Sequence, residues 1–418
     1  MRGEHRLGVE KRPARLKGAA EVTGLSPVHP ANHNSPSHLH LHRGGKPEMW
    51  ISPLEGNMPI HFGEGAIDLL PGLLNDLRPD KVVIVSDNRT FNIHGASLLQ
   101  LLSGHFAPEI ILIAEGEGEK KMANLEIICE GLFERGITKS SVVVNFGGGV
   151  VLNIGGLAAS LVYRGIRFVQ VPTTLMAQSD VIVSNKQGIN FAGGKNRLGV
   201  FNTPVAAVAD PRFTRTEPLR QLRAAAVEYC KNALLLGGKH YDEAIRFFSD
   251  SGDKSSKDPF SGPQLDILLR NSLEQKFEIA RLDPFEKGEG LMLEYGHTVG
   301  HALEYLSQGR LLHGEAVYHG MNVAGHLAQH LGLMSVQELK KQTLLLAHLR
   351  GIPPIPNDIS VGQILACVQK DNKKIGKGSA FILLKAVGEV NRFEGSVLTP
   401  VCDFQLSRVM LEYWDALL

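Results

Sequence analysis

Ser141-Val142-Val143-Val144-Asn145-Phe146-Gly147-Gly148-Gly149 is a short apolar run that passes straight into three glycines. A run of this kind suits a buried strand of a parallel sheet, covered on both faces. The glycines let the backbone approach a pyrophosphate closely. A helix opening behind them offers free N–H groups and a partial positive charge. The spacing is not G-x-G-x-x-G, so the turn taken alone also reads as a simple tight connection.

Outward from this unit the same alternation continues. Residues 81–87 and 109–113 read as strands, 124–136 as a helix with apolar residues at helical spacing, and 168–171 as the next strand. Strands alternating with helices imply a parallel, doubly wound sheet. Asp87, at the end of the first of these strands, is placed either to bond a ribose hydroxyl or to cap a turn. After about Pro211 the β signal fades. Residues 217–236, 272–280, 290–306 and 314–331 read as helices, and 380–387 as a short β-rich piece. The expected fold class is therefore α/β, with a Rossmann-like doubly wound domain over 47–210 and a mostly α-helical domain over 211–418. A cleft between the two is the natural place for a site. Residues 250–263 are polar and read as a loop.

The first 46 residues differ in kind. They are rich in Arg, Pro, Ser, Asn and His, and read as a disordered basic tail. Charge is nearly balanced overall, with 44 Lys+Arg against 43 Asp+Glu, so no global field argues for nucleic acid. No uninterrupted apolar run is long enough to span a bilayer, and the N-terminus lacks the apolar core of a secretory signal. Cys129, Cys230, Cys367 and Cys402 form no CxxC pair and read as free thiols of a cytoplasmic protein.

Two further motifs carry chemistry. Pro172-Thr173-Thr174 follows a strand end, and Asp180, Lys186, Lys195 and Asn196 follow within a loop-rich stretch. Lysines, an asparagine and glycines together suit a phosphorylated or polyhydroxylated ligand; a solvated loop has the same composition. The strongest motif is Glu294-Tyr295-Gly296-His297-Thr298-Val299-Gly300-His301, which places two imidazoles at i and i+4 on one helix face. His313-Gly314-Glu315 opens the next helix. Histidines so spaced, joined by a distant carboxylate, are the usual donors of a Zn²⁺ or Co²⁺ site. Spacing leaves that carboxylate open. Glu228 lies in the otherwise apolar run Ala224 to Cys230, where a carboxylate needs a partner that a cation would supply.

Taken together these residues resemble the sugar phosphate cyclase superfamily, of the 3-dehydroquinate synthase type. The similarity covers about Met49 to Val401. It rests on the GGG turn, Arg164-Gly165-Ile166-Arg167, VPTT, the D…K…GKN stretch, the AxEYxKN helix, GHTxGHxxE, HGEA and DNKK. The resemblance implies metal ligands Glu228, His297 and His313. It implies NAD contacts at Asp87, Glu119, Gly148, Gly149, Thr173 and Thr174. Catalytic or orienting roles fall to Lys186, Asp180, His301 and Glu294, and substrate binding to Lys195, Asn196, Lys373 and Arg164. Arg164 would reach a phosphate in the neighbouring subunit of a homodimer.

The departures from the 3-dehydroquinate synthase pattern bear on substrate. Asn153 stands where those enzymes carry aspartate. The lysine usual three residues after Glu119 is replaced by Met122, with Lys120 and Lys121 close by. Gly290 stands where an arginine grips the substrate carboxylate, and Glu294 where those enzymes carry asparagine. A glutamate there repels a carboxylate and suits a neutral polyol. The implied branch is the one that cyclises D-glucose 6-phosphate to 2-deoxy-scyllo-inosose and phosphate for aminoglycoside biosynthesis. It does so by transient oxidation with NAD and a divalent metal (Zn or Co), phosphate elimination, re-reduction and intramolecular aldol closure. The alternatives are a C7 cyclase using sedoheptulose 7-phosphate, a 3-dehydroquinate synthase, an NAD- and metal-dependent polyol dehydrogenase, and a catalytically silent binding protein.

Overall fold

The computed structural model describes residues 47–52, 58–249, 259–369, 374–375 and 378–415. The chain opens with an antiparallel pair, β1 (Glu48–Ile51) and β2 (Pro59–Phe62). Helix α1 (Leu70–Leu77) leads to β3 (Val82–Asp87), α2 (Asn88–Leu102), β4 (Glu109–Ile113), α3 (Met122–Glu134), β5 (Val142–Gly147), α4 (Gly149–Leu161) and β6 (Arg167–Pro172). Then come the short α5 (Leu175–Ser179), a hairpin of β7 (Lys186–Phe191) and β8 (Gly194–Phe201), and β9 (Ala206–Ala209). Helices α6 (Leu219–Leu236), α7 (Gly238–Ser249), α8 (Gly262–Ala280), α9 (His297–Ser307), α10 (His313–His330), α11 (Val336–Ala347) and α12 (Val361–Val368) follow. Short strands β10 (Lys374–Ile375), β11 (Gly378–Ile382), β12 (Leu384–Ala386), β13 (Glu389–Val390) and β14 (Leu398–Val401) precede the closing α13 (Asp403–Asp415).

Seven strands form the main sheet in the order β1-β2-β9-β6-β5-β3-β4, parallel except for β1. Every residue of β3 and β5 is buried, as their unbroken apolar runs require. Their alternation splits the core. Val83 and Val85 face Leu125 and Ile128 of α3 and Ile154 and Leu157 of α4. Val82 and Ile84 face Leu70 and Leu74 of α1 and Leu98 and Leu102 of α2. The chain steps outward from β3 to β4 and returns to β5 on the other side of β3. That reversal opens a crevice at the carboxyl ends of β3 and β5, where ligands of doubly wound sheets bind.

All the strands of this sheet lie before Pro211, and the chain is mainly helical after it. Residues 45–418 form one compact unit. Among the described residues no helix is long and apolar enough to cross a membrane. The expected tail over 1–46 and Lys373 lie outside the described residues, as does most of the expected loop over 250–263.

Two elements differ from the sequence expectation for clear reasons. The stretch after Asp180, read as loop-rich, contains the β7–β8 hairpin. Its two-residue turn, Ala192-Gly193, has φ of 48° and 72°, the geometry whose twist matches paired strands. β8 is exposed along most of its length, apolar Leu198, Val200 and Phe201 included, so no buried face marks it. The single helix expected over 290–306 is instead a 3-10 turn, Glu289–Glu294, followed by α9. Gly296 breaks it with φ 78°. A Cβ on Gly296 would lie 2.5 Å from Met321 Cγ and 2.9 Å from Met321 N, so only glycine lets α9 start this close to α10. A Cβ on Gly314 would likewise lie 1.8 Å from Ala224 O, and this contact sets α10 against α6.

Gly296→Ala is expected to cost about 1–3 kcal/mol through overpacking and left-handed strain. Urea unfolding of the variant should show a lower midpoint at an unchanged slope. Gly104→Ala, where a Cβ meets nothing within 4 Å, should leave the midpoint in place.

Candidate active site

The close crossing of α6, α9 and α10 brings Glu228, His297 and His313 together. One donor atom from each lies within 4.8 Å of the others. Glu228 is 4 % exposed, and its Oε2 is paired with the Lys231 ammonium one turn further along α6. Its Oε1 accepts no hydrogen bond. It lies 3.9 Å from His297 Nε2 and 3.8 Å from His313 Nε2. These separations are too long for hydrogen bonds. They are close to the roughly 3.4 Å between neighbouring donors around a tetrahedral ion of zinc's size. A buried carboxylate oxygen without a donor costs several kcal/mol, and a cation removes that cost. On this observation the donor set fits a divalent metal ion.

Both imidazoles are oriented from behind. His297 Nδ1 faces Tyr295 O at 3.1 Å, and His313 Nδ1 faces Glu304 Oε2 at 3.0 Å. Each acceptor favours the proton on Nδ1 and leaves Nε2 as the ligand atom. Burial holds His297 well below the ordinary histidine range, and the Lys231 charge adds to this. A neutral ring is what a metal requires. For His313 burial acts downward, but the Glu304 carboxylate outweighs it and the net shift is upward. A cation on Nε2 would replace the proton that Glu304 otherwise favours there.

The remaining charged groups are paired with one another in this region. Asp180, at the end of α5, meets Lys276 Nζ of α8 at 2.8 Å. Burial pushes its carboxyl up, but Lys276, Lys231 and His313 together bring it below the usual range. Lys186 on β7 pairs with Glu286, whose φ is 51°. Lys195 on β8 lies between Glu304 at 2.5 Å and Glu117 at 3.2 Å. Asn196 follows it and accepts from Lys120 Nζ at 2.5 Å. The His301 ring is 5.1 Å from that of His297 and 6.0 Å from that of His313. Glu294 is near enough to His297 to draw its titration upward.

At Gly290, Asp283 fills the space a side chain would need. A Cβ there would be 2.6 Å from Asp283 O, and Asp283 Oδ2 accepts from Gly288 N at 2.6 Å and Gly290 N at 3.1 Å. Arg164 lies apart, on the exposed turn after α4 with φ 66°. Its side chain has no hydrogen bond or ion pair among the described residues.

The glycine turn sits at the crevice between β3 and β5. Gly148 is the N-cap of α4, and no side chain caps that helix, so its first N–H groups are open to an anion. A Cβ on Gly148 would press on Thr174 at 3.2 Å, and one on Gly149 would meet Val181 at 3.4 Å. Thr173 N donates to Gly147 O at 3.0 Å, and the Thr174 hydroxyl caps α5. Asp87 caps α2, accepting from Thr90 N at 2.8 Å and the Thr90 hydroxyl at 2.7 Å. The bare helix start and close glycine approach fit a dinucleotide pyrophosphate.

Glu119 is held by its own turn. Its carboxylate takes Asn124 Nδ2 at 2.6 Å and Lys121 Nζ at 3.0 Å. Glu117 and Lys120 have the three-residue separation expected after Glu119, and Glu117 meets Lys195. Lys120 is 5 % exposed and donates to Asn153 Oδ1 at 2.6 Å. Burial pulls its ammonium down to about 8, against the pull of Glu117. Glu117 and Glu119 read alike in sequence, and only folding buries one lysine of the Lys120-Lys121 pair. Glu304, Lys231, Lys276, Glu117 and Lys120 are the site groups that motif reading left unassigned. Two of them were visible as the last residue of GHTxGHxxE and the lysine of AxEYxKN.

The comparisons agree with this geometry. Residues 110–224 match the family model described as 3-dehydroquinate synthase N-terminal, and residues 225–374 match the one described as 3-dehydroquinate synthase C-terminal. The chain belongs to the 3-dehydroquinate synthase family, and it is an enzyme of the sugar phosphate cyclase type. Within that family it is 35 % identical over 347 residues to a 2-deoxy-scyllo-inosose synthase of Streptomyces kanamyceticus, covering 82 % of this chain and 87 % of the relative. It is 31 % identical over 349 residues to a 3-dehydroquinate synthase of Prochlorococcus marinus strain AS9601, covering 81 % and 95 %. A solved 2-deoxy-scyllo-inosose synthase complexed with carbaglucose-6-phosphate, NAD⁺ and Co²⁺ superposes with a TM-score of 0.79 at 27 % identity, covering 88 % of this chain and 99 % of that one.

Lys120 titrating near 8 has a direct check. With ¹³Cε-labelled lysine, one resonance should titrate near pH 8 while surface lysines titrate near 10.4. Asn153→Asp puts a carboxylate beside Nζ and should raise that midpoint, since an opposite charge favours the charged form. A midpoint that stays in place would contradict the contact.

Proposed function

We propose that the chain converts D-glucose 6-phosphate to 2-deoxy-scyllo-inosose and inorganic phosphate in aminoglycoside biosynthesis. The reaction is a cyclisation through transient oxidation, phosphate elimination, re-reduction and aldol closure, with no net redox change. The observation that carries the substrate is the pair Gly290 and Glu294. Asp283 closes off position 290, so no arginine stands there for a carboxylate, and Glu294 beside His297 disfavours one. A neutral polyol suits the same place. Similarity to 2-deoxy-scyllo-inosose synthases supports the reading.

Glu228, His297 and His313 would hold one divalent ion, Zn²⁺ or Co²⁺. The turn at Gly148, Gly149, Thr173 and Thr174 would hold NAD, with Asp87 toward its ribose. When bound, the ion supplies Lewis acidity at a substrate hydroxyl and NAD supplies reversible hydride acceptance. The protein's own groups position the sugar. Lys186, Lys195 and Asn196 bind phosphate and hydroxyls, with charge-assisted hydrogen bonds from the two lysines. Lys373 is assigned to the same task, and Arg164 to a phosphate in the neighbouring subunit of a homodimer. Glu294 accepts from a sugar hydroxyl. Asp180 and His301 orient the reacting carbons' hydroxyls or move a proton at them. The C5 proton leaves with the C6 phosphate, whose own oxygen can receive it. Residues 47–210 serve as the dinucleotide half and 211–418 as the metal and substrate half. The four free cysteines suit a reducing cytoplasm.

The lysines favour a phosphorylated substrate over the free polyol of a dehydrogenase. A panel of glucose 6-phosphate, sedoheptulose 7-phosphate and the 3-dehydroquinate synthase substrate decides among the cyclases. Phosphate should appear from the first, with catalytic NAD⁺ and no lasting absorbance of NADH; stoichiometric NADH would refute the cyclase. His297→Ala should lose bound metal and activity together. Glu294→Asn should raise KM for glucose 6-phosphate, and unchanged kinetics would remove the argument for substrate.

A further inference from the structure

Glu304 stands on α9 one turn beyond His301, and its two carboxylate oxygens serve different partners. Oε2 faces His313 Nδ1 at 3.0 Å, and Oε1 faces Lys195 Nζ at 2.5 Å. The side chain is 9 % exposed, so water does not compete for either oxygen. Neither partner belongs to α9: His313 opens α10 and Lys195 lies on β8. His313 presents its other nitrogen toward Glu228 Oε1. Lys195 is a long, flexible side chain, and Glu304 and Glu117 hold it from two sides.

We propose that Glu304 is a positioning residue that holds the metal ligand His313 and the substrate lysine Lys195 with one carboxylate, so that metal and substrate binding share a single support. One oxygen fixes the His313 tautomer that leaves Nε2 free for the ion. The other fixes the ammonium where the phosphorylated sugar lies. The substrate half of this statement rests on the function proposed above; the metal half rests on the donor geometry.

The amide of Glu304→Gln cannot replace it. If its oxygen faces His313, its NH₂ meets the Lys195 ammonium, donor against donor. If its NH₂ faces His313, the proton moves to Nε2 and blocks the metal. One substitution should therefore damage both functions. Metal affinity is measured by titrating metal-free protein with Co²⁺ and following visible absorbance, with no substrate present. Phosphate release from glucose 6-phosphate gives KM and kcat separately, and circular dichroism melts check folding. Glu304→Gln should weaken Co²⁺ binding by about 10–100-fold and also raise KM. Glu304→Asp, which keeps both acceptors on a shorter stem, should recover part of each and serves if the glutamine variant misfolds. Lys195→Met should raise KM and leave Co²⁺ affinity near the parent value. Parent-like Co²⁺ binding in Glu304→Gln would overturn the proposal, and so would weakened Co²⁺ binding with KM unmoved. A parent protein that binds Co²⁺ but releases no phosphate from glucose 6-phosphate would instead overturn the substrate reading and leave the metal arm standing.

Discussion

The Glu228 carboxylate, buried with one oxygen unsatisfied, is the constraint around which this protein is organised. Lys231 neutralises Oε2, while Oε1 points at two histidine nitrogens too distant to donate to it. Such a group would unfold a helix face unless something compensates it. The compensation that fits is a divalent cation, and the helix packing serves to bring its donors into range. α6, α9 and α10 cross where glycines permit backbone contact, and those crossings turn three positions far apart in the chain into one donor set.

Around that point the charges are arranged in linked pairs. Glu117, Lys195, Glu304 and His313 form a continuous line from a loop of the sheet region to a metal ligand. Asp180 and Lys276 join α5 to α8 beside it. Each member stabilises the ionised form of the next, so ammonium groups and carboxylates stay charged where burial alone would neutralise them. The cofactor crevice uses other means. It relies on backbone N–H groups, a bare helix start and glycines too closely packed to accept a side chain. The first arrangement suits a small, highly charged substrate; the second suits a large ligand that is read mainly through its pyrophosphate.

Much of the fold was legible. The strands of the sheet centre are unbroken apolar runs, and burial on both faces leaves no other use for them. The β7–β8 hairpin was not legible, because its outer strand is exposed along most of its length and shows no alternation of buried and exposed residues. The helix carrying His297 looked longer than it is. Its break at Gly296 depends on Met321, which lies on another helix. That Lys120 is the buried member of the Lys120-Lys121 pair was not legible either, since two adjacent lysines differ only in which one folding buries. Glu304 was visible as a motif letter, yet nothing in its neighbours along the chain links it to Lys195.

The sequence by itself determined the central strands of the sheet and the change to helices after them, the glycine turn, the histidine pair and the exchange of an arginine and an asparagine for Gly290 and Glu294. These are local facts, set by residue type, periodicity and spacing within a few turns of chain. Only the tertiary structure decided which carboxylates are shared, which lysine is buried, and why position 290 cannot hold a side chain. Those depend on how the chain folds back on itself, over a short loop from Asp283 to Gly290 and over a long separation from Lys195 to Glu304, and on desolvation that exists only once the helices have packed.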